Sequence, residues 1–186
     1  MHYRIEIRHR EWHHPDCESL RRLCRQETFK LYGDHNIPEP TPESVASDRS
    51  VFVIAYLYLT PSPSSGAEGW EQSSPPLPVG CAGLRKMSPA TDNGEPAPGD
   101  AELKKMFVRR EYRGQPWRIA RKIIEALEQC ARERGWYTIV LGTGFLQPAA
   151  KRLYQREGYR PIPIFAPYTR GVAFCFRKRL DGCGLE

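Results

Sequence analysis

Between residues 101 and 176 the sequence alternates short apolar, β-rich runs with runs whose apolar positions recur every three to four residues. Residues 101–108 (AELKKMFV) read as a strand. Residues 118–134 read as a helix, with Ile119, Ala120, Ile123, Ile124, Leu127, Cys130 and Ala131 on one face and Gly135 as the stop. Residues 138–141 form a second buried strand, residues 148–157 a second helix stopped by Gly158, and residues 172–176 a last strand. Strand, helix, strand, helix, strand predicts an α/β fold in which helices flank a central sheet.

Upstream, residues 3–7 alternate as a strand, and a helix runs from Pro15 and Asp16 to Gly33. The runs 51–59 (VFVIAYLYL) and 79–85 read as further strands. Two stretches, 60–78 and 88–100, turn to Pro, Ser, Gly and acidic residues and offer little to a core. They lie between strands, so they read as long, solvated hairpin insertions within a single domain spanning residues 1–186. The Pro75–Pro78 run (PPLP) is read as part of such a loop in preference to a polyproline ligand.

Composition narrows the class. No apolar run approaches the roughly 20 residues of a membrane span, and the opening MHYRIEIRHREWHH has no apolar signal-peptide centre. Six cysteines without a Cys-x-x-Cys pair read as reduced thiols, so a cytoplasmic or nuclear protein is expected. Cys81, Cys130 and Cys175 fall in apolar patterns and read as core thiols in preference to nucleophiles. His9, His13, His14, Cys17 and Cys24 have zinc-ligating chemistry but no paired spacing, so no metal site is expected. The terminal Cys183-Gly184-Leu185-Glu186 fits a prenylation signal badly. Lys and Arg number 28 against 22 Asp and Glu, a net charge of +6 that suits an anionic ligand.

The junction 109–120 (RREYRGQPWRIA) carries the chemistry. A strand feeding through a glycine turn into a helix start presents unpaired N–H groups and the positive end of the helix dipole, a phosphate site. Arg109, Arg110, Arg113 and Arg118 crowd that turn.

In order and spacing, AELKKMFVRREYRG, RIARKIIEALEQCARERG, TIVLGTG and the Ala150-x-x-Leu153-Tyr154-x-x-x-Gly158-Tyr159 helix resemble the acetyl-CoA-dependent N-acetyltransferases of the GNAT superfamily. The resemblance covers about residues 51–168 and implies a mixed central sheet flanked by helices, with acetyl-CoA as acetyl donor. It implies a cofactor site of Phe107, Val108, Arg113, Gly114, Gln115, Arg118, Ile119, Ala120, Gln147 and Lys151. The loop departs from the family's Arg-Gly-x-Gly-x-Gly or Ala pattern: Arg118 stands where a glycine is expected, about two residues are extra, and Pro116 lacks an N–H.

Acetyl transfer from a thioester to an amine needs a base for the ammonium, a donor for the developing oxyanion and a proton for the thiolate. The resemblance points to Glu102 as base and Tyr154 as acid; the alternatives are an ion-paired strand carboxylate and a packing tyrosine. The oxyanion donor is expected among the backbone N–H groups near Phe107 or Val108. The resemblance implies that the apolar, proline-stiffened segment 161–168 borders the acceptor; a small amine or an amino acid is expected, with a protein acceptor left open. A homodimer is compatible with this reading. Two rivals remain: a noncatalytic acyl-CoA-binding module, favoured by the altered loop, and a nucleic-acid binder, favoured by charge.

Overall fold

The computed structural model describes residues 2–33, 45–46, 48–60, 75–88 and 97–181. Most of both Pro-rich insertions, residues 61–74 and 89–96, lies outside the described residues. In chain order the elements are β1 (His2–His9), α1 (Pro15–Tyr32), β2 (Ser50–Thr60), β3 (Leu77–Lys86) and β4 (Ala101–Val108). They continue with a 3-10 turn (Arg110–Tyr112), α2 (Ile119–Glu133), β5 (Thr138–Gly144), α3 (Pro148–Arg156), β6 (Arg160–Ile162) and β7 (Ala173–Arg179). No helix among the described residues is long and apolar enough to cross a membrane.

The strands make one sheet in the order β1-β2-β3-β4-β5-β7-β6. Neighbours are antiparallel except β4 and β5, which run parallel around the α2 crossover. The larger core lies where α2 and α3 cover one face: Ile123, Ile124 and Leu127 pack on Val53, Val79 and Leu103. The smaller core lies under α1, where fully buried Cys17 and Leu20 meet Phe52, Ile54 and Cys81. A sheet covered on both faces explains why 51–57 is buried without alternation.

Three departures from the sequence reading follow from position in the sheet. β3 begins at Leu77, so Leu77 and Pro78 belong to a strand; Pro78 is tolerated beside the register shift at Ala55/Tyr56. Gly99 and Asp100 are packed and bonded onto β5, with Asp100 Oδ2 accepting from the Thr138 N–H at 2.8 Å. Arg160–Ile162 forms a strand despite Pro161, because β6 is the sheet edge and one side of it needs no donor.

The histidines before α1 have structural partners. His14 caps the helix, its Nδ1 accepting from the Asp16 N–H at 3.2 Å, and His9 Nε2 lies 3.3 Å from Cys130 Sγ. Cys81, Cys130 and Cys175 are buried, as a core reading expects.

Candidate active site

β4 and β5 pair only at Ala101↔Ile139 and Glu102↔Val140; beyond that point no register joins them. The parallel strands therefore part in mid-sheet, and β4 presents a backbone edge without a strand partner. Arg109 gives its N–H to Val79 O on β3, so by strand alternation Val108 turns its polar groups to the gap. There its carbonyl accepts from Arg113 Nε at 2.8 Å. Of the two candidate oxyanion donors, Val108 thus faces the gap and Phe107 faces β3.

A cavity of about 1000 Å³ opens at the divergence. Met106, Phe107 and Val108 of β4 form its floor, and Cys24, Glu27, Thr28 and Leu31 of α1 one wall. The opposite wall is α3, through Gln147, Ala150 and Leu153. Its mouth is the turn into α2, where Arg113, Gly114, Gln115, Arg118, Ile119 and Ala120 all border it. A second hollow, about 550 Å³, lies by Lys86, Arg134 and Arg177 and shares none of these residues.

The turn is built for an anion. Arg118 precedes α2 at φ 50, a left-handed conformation that a glycine would adopt freely. Arg118 thus stands where the resemblance expects a glycine, in a conformation that glycine adopts freely. The Arg118 N–H bonds Gly114 O at 2.8 Å, and the first intrahelical bond runs from the Lys122 N–H to Arg118 O. Ile119, Ala120 and Arg121 therefore start the helix with N–H groups that no i−4 carbonyl takes. Among the described residues no side chain caps them, and no acid stands in the first turn. The extra residues fold onto β1: the Trp117 ring lies 4.5 Å from Tyr3 and 5.6 Å from Tyr112, and Tyr3 OH donates to Pro116 O. Arg113 also ties the turn to α1, reaching Glu27 at 2.6 Å and holding its carboxyl below the usual carboxylate range.

Glu102 is 1% exposed and lies off the cavity wall, on the α1 face of β4. Its Oε2 meets Arg85 at 3.0 Å; its Oε1 meets Lys104 at 3.0 Å and accepts from Tyr168 OH at 2.6 Å. Tyr154 is buried in the larger core, its ring against Tyr159 and Phe176. Burial pushes its phenol well above the ordinary tyrosine value, and the Cys24 thiol of the cavity wall adds to the shift. Gln147 sits at the start of α3, its Oε1 accepting from Thr143 Oγ1 and the Gly144 N–H. Lys151 points elsewhere, its Nζ 4.2 Å from the centre of the Phe174 ring and outside the cavity wall.

Tyr168 is the residue that local sequence reasoning passed over as one of an apolar segment. It lies on β5 at Gly142, where any Cβ would collide with its ring, and its hydroxyl closes the Glu102 cluster. The only local trace of this was a glycine in the middle of the buried strand TIVLGTG.

Residues 76–161 match the family model described as "Acetyltransferase (GNAT) domain". A stretch of 70 residues is 36% identical to an "IAA acetyltransferase" of Azospirillum brasilense; it covers 38% of this chain and 44% of that relative, less than half its length. Among solved structures, an acetyltransferase from Streptococcus agalactiae 2603 superposes with a TM-score of 0.63 at 20% identity, over 94% of this chain and 98% of that one. A GNAT family acetyltransferase from Elizabethkingia anophelis, solved with acetyl-CoA bound, gives 0.55 at 16% identity, over 94% and 97%. The parted parallel strands, the helix order and the matched stretch agree: residues 76–161 are similar to a GNAT acetyltransferase domain, and the chain has the fold of its solved acetyltransferase neighbours.

Proposed function

We propose that the protein is an acetyl-CoA-dependent N-acetyltransferase that acetylates a primary amine of a small molecule or amino acid by direct attack in a ternary complex. The observation that carries this reading is the gap between β4 and β5, which opens into a cavity ending at an uncapped, basic helix start. The residues present suit the donor: Ile119, Ala120 and Arg121 N–H groups and the Arg113 and Arg118 guanidiniums take the pyrophosphate, as at other anion-binding helix starts. Bound acetyl-CoA supplies the acetyl group as an activated thioester.

The chain supplies the rest. Val108 directs its N–H at the gap, where a carbonyl oxygen gaining charge is stabilised. Tyr154, whose phenol burial keeps protonated, holds the proton that a leaving thiolate requires. Glu102 removes the acceptor's proton through Tyr168: the hydroxyl passes its proton to Oε1 while accepting one from the ammonium. Tyr168 need never become a tyrosinate in that exchange, and its phenol too is pushed far up by burial and by Glu102.

The test is a thermal-melt titration with acetyl-CoA followed by thiol-release assays on a panel of amines. A ligand that binds only the folded state stabilises it by about 2.7 kcal/mol at a hundredfold excess over Kd, so the midpoint rises with concentration. Arg113→Ala should blunt the rise. No shift at millimolar acetyl-CoA overturns the assignment. A shift without thiol release from any amine makes the protein a binding module.

A further inference from the structure

On the face covered by α1, several cationic side chains gather near the parting of β4 and β5. Glu102 alone faces both Arg85 and Lys104. The next residue, Lys105, adds a third cation at a backbone step: its φ is 58, left-handed and disfavoured for any residue with a side chain. The step coincides with the register shift between Cys81 and Gly83, and puts two successive lysines on the same face. Lys104 reaches Glu102 and Tyr168, while Lys105 is near enough to α1 to feel the charges of Cys24, Arg25 and Arg21; neither lysine is on the cavity wall, which Cys24 lines.

Among the described residues no carboxylate pairs with Lys105. The nearby acid on that wall, Glu27, is committed to Arg113 at 2.6 Å. Burial pushes the Lys105 ammonium below the usual lysine range, the Cys24 thiol opposes this, and the charges of Arg25, Lys104 and Arg21 push it further down. A half-desolvated cation among cations is costly to hold, and an arriving anion relieves that cost.

We propose that Lys105, flanked by Lys104, is the recognition point for an anionic group on the acceptor, so that the preferred acceptor is an amine carrying a carboxylate or a phosphate. This rests on the acetyltransferase reading above and narrows its acceptor. The anion sits between α1 and the β4 step, and the amine is directed toward Tyr168 and the gap.

The test compares matched amines on the full chain with saturating acetyl-CoA: amino acids against their amides, and phosphoethanolamine against ethanolamine. The first pair reads carboxylate recognition and the second phosphate recognition. At least one pair should favour the anionic member about tenfold or more in kcat/KM, mostly through KM. Lys105→Met should bring that ratio toward one, and Lys105→Arg should restore much of it; a purely structural lysine would leave the ratio alone. Midpoints measured with CoA and each acceptor provide a readout independent of turnover, and there too only anionic members should add protection. Equal treatment of both members of both pairs overturns the inference, as does a ratio indifferent to Lys105→Met. If acetyl-CoA itself gives no stabilisation, the failure lies with the acetyltransferase reading. If it stabilises and no anionic amine adds protection or turns over, the failure lies here.

Discussion

Glu102 offers two oxygens to three donors, so replacing its charge acts on Arg85, Lys104 and Tyr168 together. Glu102→Gln should retain acetyl-CoA binding, since the carboxylate lies off the cavity wall, and should slow turnover by about 10² to 10⁴ at neutral pH where chemistry limits the rate. Raising the pH should recover part of that loss, because amines with pKa values near 10 then lose the proton unaided. Tyr154→Phe should also slow turnover, yet high pH should not help, since a free amine replaces a base and not an acid. The pH profiles of both variants decide the matter: wild-type rates in both remove the two roles, and a Tyr154→Phe that melts lower but turns over normally is a packing residue. The placement of Glu102 on a strand was legible in AELKKMFV. Its partners were not, because Tyr168 and Arg85 meet it across separations of 66 and 17 residues, and no local pattern encodes that meeting.

At the scale of elements, most of the architecture was legible because hydrophobic period and glycine stops agree along the second half of the chain. The α2 face is one example, with Ile119, Ile123, Leu127 and Cys130 all buried. β6 was not legible, since Pro161 reads against a strand unless its edge position is known. The turn into α2 was legible as a departure but not as a conformation: Arg118 occupies the glycine-like φ of 50 without being glycine. This separates two contributions that a glycine here would merge. Arg118→Gly should keep or slightly raise the melting midpoint, because a left-handed residue with a side chain costs about 1–2 kcal/mol. It should nonetheless weaken acetyl-CoA-induced stabilisation by removing a guanidinium from the phosphate site. Arg118→Ala should lose the charge while retaining the strain. Equal acetyl-CoA shifts in wild type and both variants would place the phosphates away from this helix start.

For the whole molecule, the two faces of the sheet are unequal. α2 and α3 rest on the larger core, whereas α1 is held by a smaller one in which Cys17 and Leu20 are fully buried. The same helix walls the cavity with Cys24, Glu27, Thr28 and Leu31 and is clasped to the α2 turn by Glu27 and Arg113. A ligand filling the cavity therefore touches elements on both faces, and docking of α1 becomes part of the binding site. Leu20→Ala should cost about 2–5 kcal/mol, the usual range for a buried leucine that leaves a cavity. The loss should fall first on α1, so amide exchange there should rise more than in α2 or β5. Acetyl-CoA should reverse the pattern: at a hundredfold excess over its Kd it should return about 2.7 kcal/mol to the variant and restore α1 protection together with the midpoint. If exchange in α1 rises and acetyl-CoA restores the midpoint without protecting α1, the helix is not part of the binding site, and the cavity wall drawn by those four residues is not engaged by the ligand. If Leu20→Ala melts like the wild type, α1 is not docked through this core at all.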